Sequence, residues 1–207
     1  MTASGGHTSL YLVEDFGSYT IIGQTADDAA GEAFDKVSKL IGLGYPGGPL
    51  VEQRAALAGY HDYFNYPRST SNSLDFSFSG LKTAVLYDLV KQNAYDLKTK
   101  TFLKSDDQEF INKVCSSLLA AIKDIFIQKL ARAYKLYPHI KAITFVGGVA
   151  CNAYIKKHMQ EWCQANGLSL YWPSPKYCTD NAAMIAYVGN YKGQKGEFSD
   201  LSLDILK

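Results

Sequence analysis

Residues 140–152 read IKAITFVGGVACN, and this stretch decides the fold class. Its first seven residues form an almost continuous apolar run, which is typical of a strand covered on both faces of a sheet. Gly147 and Gly148 then allow a tight turn, and the apolar spacing in residues 151–164 predicts a helix. A strand, a glycine turn and a helix in this order indicate an α/β domain with parallel strands.

The same order recurs downstream of this stretch. Residues 168–172 have the pattern of a second buried strand, and a helix is expected from Asp180 to Tyr191. The last segment, residues 193–207, is polar and then weakly amphipathic. We therefore expect one domain over residues 1–192, followed by a tail that docks on another surface.

Upstream residues add a hairpin and several helices. Alternation of apolar and polar residues predicts strands, and apolar periods of three and four predict helices. The first helix carries Asp27 and Asp28 at the position of an N-terminal cap. The predicted elements are strands at residues 8–13, 19–24 and 76–78, helices at residues 29–40, 50–58, 81–91 and 106–137, and loops at residues 42–49 and 92–104.

Composition excludes several classes of protein. The 207 residues carry a net charge of +1, so a nucleic acid would have to bind a local patch rather than a uniformly basic surface. No apolar run reaches membrane-spanning length, and the first residues do not resemble a signal peptide. The four cysteines show no Cys-x-x-Cys pair, which favours free thiols.

Four glycine turns or helix starts share one property that points to a ligand. Glycine lets backbone N–H groups approach an anion, a helix N-terminus adds a favourable dipole, and nearby carboxylates can accept hydrogen bonds from ribose hydroxyls. Together they predict a nucleotide pocket beyond the carboxyl ends of the strands. The four features are residues 4–8, Asp35 with the following loop and Glu52, residues 147–152, and residues 179–181.

Each of these features also has a purely structural interpretation. A lone glycine pair is more often only a turn, while Asp180 and Asn152 have the positions of helix caps. Asp35 alone would be a surface carboxylate, and Glu52 alone a solvated one. The four histidines show no His-x-x-x-His spacing, so a metal site is not visible, although Asp180 offers one oxygen ligand.

Six motifs in order resemble the TsaD family, also called Gcp or YgjD in bacteria. The resemblance covers nearly the whole chain. The motifs are SGGHT at residues 4–8, DDAAGEAFDK at 27–36, GLGYPGGP at 42–49, FSFSGLKT at 76–83, GGVA at 147–150 and CTDNAAM at 178–184.

The resemblance implies a fold and an activity. The fold would be a lobe of the actin-like ATPase type (ASKHA superfamily, ribonuclease H-like), incomplete because the N-terminal lobe is missing. The activity would be transfer of threonylcarbamoyl from threonylcarbamoyl-adenylate to the tRNA adenosine next to the anticodon. The family implies TsaB and TsaE homologues as partners, a divalent metal (iron or zinc), an adenylate or ATP-like ligand, a cytoplasmic location and no membrane.

The resemblance also assigns roles to individual residues. It implies that the substrate is bound by Thr2, Ala3, Ser4, Gly5, Gly6, Asp35, Gly48, Glu52 and Asn152. It implies that Asp180 is a metal ligand, and it identifies no catalytic residue.

One departure from the family pattern affects the expected activity. The family's paired metal-binding histidines lie upstream of the Ser-Gly-Gly turn, and this sequence begins after them. We therefore expect the chain to be inactive alone, and an exposed apolar patch where the other lobe would pack. Two alternatives are a noncatalytic nucleotide- or partner-binding module and another actin-superfamily enzyme such as a sugar kinase.

Overall fold

The computed structural model describes residues 1–68 and 72–200, which form seven strands and six α-helices. The strands are β1 (Thr2–Ala3), β2 (Thr8–Asp15), β3 (Ser18–Gln24), β4 (Tyr95–Asp96), β5 (Thr101–Phe102), β6 (Ala142–Thr144) and β7 (Ser169–Tyr171). The helices are α1 (Ala30–Leu40), α2 (Gly47–Leu57), α3 (Ser79–Lys91), α4 (Gln108–Leu136), α5 (Ala153–Ala165) and α6 (Ala182–Gln194).

Five strands form one mixed sheet in the order β3-β2-β1-β6-β7. β2 is antiparallel to β1 and β3, while β6 is parallel to β7. The two parts are joined where Thr2 forms a parallel bridge with Val146 and Ala3 donates to the Val146 carbonyl at 2.9 Å. The predicted α/β class with parallel strands is therefore confirmed.

The two parallel strands are less buried than the sequence suggests. Only Ile143 of β6 is buried, and its neighbours Ala142 and Thr144 are exposed, so the prediction of two covered faces is wrong. β7 is likewise exposed at both ends. Both strands are also shorter than the sequence predicts, although Phe145 and Val146 still donate hydrogen bonds to the carbonyls of Tyr171 and Met1.

The core is organised around α4, a helix of 29 residues with its N-cap at Asp107. The Phe126 ring makes edge-to-face contacts with three buried rings, at centroid distances of 6.0 to 6.2 Å. Such pairs add to the free energy already gained by burying the rings. The three rings are those of Phe76, Phe78 and Phe145.

The starts of two helices differ from the prediction. α1 is not capped by Asp27 or Asp28, because its first amide, on Ala30, donates to the Thr8 hydroxyl at 2.9 Å. α6 begins two residues later than expected, and Asn181 is its N-cap in place of Asp180. In both cases a neighbouring side chain supplies the acceptor that the sequence pattern assigned to Asp.

Four further segments differ from the prediction. Residues 92–104, predicted as a loop, contain the small β4–β5 hairpin. Residues 76–78, predicted as a strand, contribute one bridge from Phe76 to Thr25. α2 starts at Gly47 rather than at Leu50. The predicted tail begins inside the last turn of α6, and its residues 201–207 lie outside the described part of the chain.

An exposed apolar surface is present on the hairpin and on α6. Cross-strand pairing places four exposed side chains on one face of the hairpin: Tyr11, Val13, Tyr19 and Ile21. On α6, Ile185 is 77% exposed, and Tyr187 touches the rest of the protein through Phe16. Within residues 1–68 and 72–200, no helix is both long and apolar enough to cross a membrane.

Candidate functional site

The Ser4 turn (residues 4–7) packs directly against the start of α1. The Ser4 carbonyl accepts from the Gly31 amide at 3.0 Å, and the Ser4 hydroxyl accepts from the His7 amide at 3.0 Å. A Cβ on Gly31 would lie 2.5 Å from the Ser4 oxygen, so only glycine allows this approach. Gly5 and Gly6 are exposed, with no protein atom within 4 Å of a built Cβ, which leaves space for a ligand at the turn.

The second glycine turn packs against β1. Gly147 has φ +96°, and a Cβ there would lie 2.3 Å from the Ala3 carbonyl oxygen. Gly147 therefore has two independent reasons to be glycine. This contact brings the turn between β6 and α5 beside Thr2 and Ala3, the two residues that lead into the Ser4 turn.

Asp35 connects α1 to the start of α2. One of its carboxylate oxygens accepts from the Gly47 amide at 2.7 Å, so Asp35 stabilises the N-terminus of α2 from a neighbouring helix. The neighbouring Lys36 instead forms ion pairs with Asp28 and Glu32. The next residue, Gly48, has no protein atom within 4 Å of a built Cβ.

Glu52, on α2, stabilises the N-terminus of α5 in the same way. Its Oε1 atom accepts from the amides of Ala153 at 2.6 Å and Tyr154 at 3.1 Å. Asn152 caps the same helix, α5, by accepting from the Ile155 amide at 2.9 Å, and it is only 6% exposed. The interpretation of Glu52 as a solvated carboxylate is therefore wrong, and the cap expected at Asn152 is confirmed.

The loop before α6 lies beside the second glycine turn. The Thr179 methyl group is 4.0 Å from a Cβ built on Gly148. The thiols of Cys151 and Cys178 also interact. Burial raises the pKa of Cys178, and this contact raises it further. Asp180, the neighbour of Thr179, is exposed.

These contacts close a ring of elements around one end of the sheet. The ring runs from the Ser4 turn through α1 and α2 to the start of α5, the second glycine turn and back to β1. It brings together all the residues expected to bind substrate, Thr2, Ala3, Ser4, Gly5, Gly6, Asp35, Gly48, Glu52 and Asn152, and Asp180 lies beside it.

The described residues do not form a metal site by themselves. Within residues 1–68 and 72–200, no group of three His, Cys, Asp or Glu side chains could hold a metal ion. Asp180 offers one carboxylate, which is fewer ligands than Zn²⁺ or iron requires.

Another carboxylate with several hydrogen-bond partners, that of Asp27, was not identified from the sequence. Its carboxylate accepts from the amides of Phe78 and Ser79 and from the hydroxyls of Ser77 and Ser79, at 2.6 to 3.2 Å. Burial raises the pKa of Asp27, but these hydrogen bonds outweigh it and lower the pKa to about 2. The acidic pair at residues 27–28 and the Ser-Phe-Ser stretch at residues 77–79 were both visible in the sequence. Because they lie far apart along the chain, their contact could not be predicted.

Comparison with known proteins gives one consistent family. A sequence model described as "TsaD: tRNA N6-adenosine threonylcarbamoyltransferase" matches residues 1–187. The chain is 44% identical over 208 residues to a protein of that name from Geotalea uraniireducens, covering 100% of this chain and 57% of the relative. It is 40% identical to one from Syntrophus aciditrophicus, covering 99% and 57%.

A third relative agrees in identity and in extent. The chain is 43% identical to a tRNA N6-adenosine threonylcarbamoyltransferase from Bdellovibrio bacteriovorus, covering 98% of this chain and 56% of the relative. The chain thus spans little more than half the length of the relatives it matches.

Proposed function

This chain belongs to the tRNA N6-adenosine threonylcarbamoyltransferase (TsaD) family, and we propose that it is the adenylate-holding part of that enzyme. The carrying observation is the ring that brings the two glycine turns, Asp35 and Glu52 to one end of the sheet. The strand order β3-β2-β1-β6-β7 supports an actin-like lobe of the ribonuclease H type.

The proposed reaction is transfer of an acyl group to an amine. The N6 amine of the tRNA adenosine attacks the carbamoyl carbon of threonylcarbamoyl-adenylate, forming a C–N bond. The bond from that carbon to the phosphate oxygen breaks, AMP leaves with the electron pair, and the amine proton passes to solvent or to a base. We assign no residue of this chain as that base.

The residues of the ring would bind and orient the adenylate. A Cβ at Gly5, Gly6 or Gly48 would have no protein atom within 4 Å, so phosphate or carbamoyl oxygens can approach the backbone at these positions. Asp35 and Glu52 each use one oxygen on a helix amide, which leaves the second oxygen for a ribose hydroxyl. Holding the second oxygen in place in this way lowers the entropy cost of binding ribose.

A basic trough supports tRNA as the second substrate. The trough has a volume of about 700 Å³ and lies between α1, the start of α3 and the β4–β5 hairpin. Four of its lining residues are lysines and none is acidic: Lys39, Lys82, Lys100 and Lys36, the last of which is also ion-paired with Asp28 and Glu32. Lysine side chains bind phosphate groups and release counterions, so this trough could hold the tRNA backbone.

We further propose that the 207-residue chain alone does not complete the reaction. The motive is that Asp180 offers one carboxylate, while no group of three His, Cys, Asp or Glu side chains in residues 1–68 and 72–200 could hold a metal ion. When bound in the complete site, a divalent metal would polarise the carbonyl. TsaB and TsaE homologues as partners and a cytoplasmic location remain parts of this proposal. Threonylcarbamoylation of tRNA by the isolated chain would contradict its inactivity but support the family reaction.

Calorimetric titration with AMP, the leaving group, tests the binding site. We expect AMP to bind, and Gly48→Val to weaken binding at least tenfold, because the new side chain would fill the open space. Gly80→Val is the matched control, since Gly80 is also the second residue of a helix and has equally open surroundings. Equal AMP affinity in both variants would contradict the site.

The two alternatives make different predictions. A noncatalytic module that binds a partner protein predicts no AMP binding, and one that binds nucleotide predicts AMP binding without transfer to tRNA. The helix-capping contacts of Asp35, Glu52 and Asn152 are compatible with both forms. A sugar kinase predicts phosphorylation of glycerol or a sugar with ATP. Family membership argues against the kinase.

A further inference from the structure

Two of the four cysteines lie together beside the second glycine turn. Cys151 is the last residue of the 3₁₀ turn Gly148–Cys151, and Cys178 directly follows the 3₁₀ turn Pro175–Tyr177. Their thiols are in hydrogen-bonding contact, and both are free. A disulfide requires Cβ atoms about 4 Å apart, a spacing that side chains in such contact closely approach. The two cysteines can therefore be joined by a small movement of their turns.

Contacts that do not involve the Cys151 sulfur place the same two segments side by side. The Thr179 methyl group lies 4.0 Å from a Cβ built on Gly148. The Cys178 thiol also faces the carbonyl oxygens of Pro173 and Ser174, at 3.7 and 3.8 Å. The loop that carries Cys178 thus lies against the glycine turn and encloses its own thiol.

Exposure separates the roles of the two thiols. Cys151 is exposed, whereas Cys178 is only 3% exposed. A solvent-accessible cysteine next to a second cysteine that can displace its oxidised form is the arrangement found in redox-sensitive proteins. The other two cysteines, Cys115 and Cys163, are 0% exposed and belong to the core. An oxidant in solution therefore reaches Cys151 first.

We propose that Cys151 and Cys178 form a reversible disulfide when the chain is exposed to a peroxide. With hydrogen peroxide, the Cys151 thiolate attacks one oxygen, the O–O bond breaks, and a sulfenic acid forms as hydroxide leaves. The Cys178 sulfur then attacks the Sγ atom of Cys151, so that the S–S bond forms, the S–O bond breaks and water leaves with the Cys178 proton. The two thiols lose two electrons and the peroxide is reduced to water.

The bond would fasten the loop at residues 173–181 to the second glycine turn. This loop carries Asp180 and leads into α6, which buries none of its residues, so packing of α6 gives the loop little support. A covalent link should therefore restrict opening of the loop. The inference rests on the positions of the thiols and not on the proposed function, and its test contains neither tRNA nor adenylate.

Peptide mapping of the 207-residue chain tests the bond. The reduced chain is treated with hydrogen peroxide, alkylated and digested with trypsin without a reductant; the four cysteines then lie on four different peptides. We expect one linked species, made of residues 142–156 and 177–192, which disappears on adding dithiothreitol. The peptides containing Cys115 and Cys163 should stay reduced. Hydrogen exchange at residues 178–181 should slow about tenfold in the oxidised chain, because the bond opposes local opening.

Two variants test the order of the steps. Cys178→Ser removes the second thiol, so the sulfenic acid at Cys151 should persist and be captured by dimedone. Cys151→Ser removes the exposed thiol, so Cys178 should stay reduced under the same treatment. This difference between the variants would not arise if the two thiols were oxidised independently.

Several outcomes would overturn the inference. These are absence of the linked species, a link that involves Cys115 or Cys163, a disulfide formed only between two copies of the chain, and oxidation of Cys178 in Cys151→Ser as fast as in the unmodified chain. Peptide mapping needs no variant, so the inference stays testable even if Cys178→Ser does not fold.

Discussion

The Glu52 carboxylate on α2 lies 2.6 Å from the backbone nitrogen of Ala153, 101 residues further along the chain. This contact joins the helix that follows one glycine-rich loop to the helix that follows the other. A residue expected to bind ribose therefore also holds the site together.

Substituting Glu52 should cost stability as well as affinity. Glu52→Ala removes the acceptor for two amides at the start of α5, so we expect the free energy of unfolding to fall by about 1–2 kcal/mol. Glu109→Ala removes an exposed ion pair within one helix and should cost less than about 0.5 kcal/mol. Urea unfolding of both variants measures the difference, and equal losses would contradict the role of Glu52.

Gly147→Ala should be far more damaging than Gly17→Ala. Both residues have positive φ, +96° and +90°, and the strain costs an L-residue about 1–2 kcal/mol at either position. Only at Gly147 would the methyl group also meet the Ala3 carbonyl, at 2.3 Å. We expect a loss above about 3 kcal/mol at Gly147. Similar thermal unfolding of the two variants would show that the close approach is absent.

The amino group of Met1 should make stability depend on pH. Burial lowers its pKa from 8.0 to about 6, so between these values the unfolded chain binds more protons than the folded one. Stability should therefore rise from pH 6 to pH 8, by up to about 3 kcal/mol. Acetylating the amine should remove this part of the pH dependence. A chain that loses stability over this range, or an acetylated chain with the same profile, would refute the prediction.

Asp27 should produce a pH dependence of the same sign in acid, where stability again rises with pH. Its pKa is lowered to about 2 in the folded protein, so its contribution is present above pH 4 and is lost as the pH falls toward 2. Asp27→Asn should be less stable at pH 7 and should lose this acid-dependent step. Unfolding curves at pH 2 to 7 measure both effects. An unchanged acid profile in the variant would mean that Asp27 does not anchor α3.

The basic trough should contribute to tRNA affinity through phosphate contacts. Lys82→Ala combined with Lys100→Ala should weaken tRNA binding and reduce the salt dependence of the affinity by about two ion equivalents. The control pair, Lys135→Ala with Lys157→Ala, removes two exposed lysines elsewhere. Fluorescence anisotropy at several salt concentrations checks this. Equal effects of the two pairs would place the tRNA surface elsewhere.

Local sequence patterns were sufficient for the main elements of the fold. The apolar run at residues 140–146 and the following glycine pair predicted a strand and a turn, and the period in α4 predicted a long helix that is observed as Gln108–Leu136. Burial of β6 was overestimated, because an apolar run does not reveal whether a second layer covers the sheet.

The sequence indicated the residues of the ring but not the contacts between them. Glycine turns and isolated acids marked the Ser4 turn, Asp35, Glu52 and Asn152. Their actual partners, such as Gly47 for Asp35, depend on how helices meet in space. The same is true of Thr8, which caps α1 from 22 residues away.

The central claim is that the glycine turns and acids of the ring bind an adenylate. Amide NMR spectra of the chain recorded during titration with AMP test it most directly. We predict saturable shifts of amides in the Ser4 turn, at Gly48, in residues 147–152 and at Thr179, with little change in the β4–β5 hairpin. Shifts confined to other surfaces, or no saturable shift at millimolar AMP, would contradict the account.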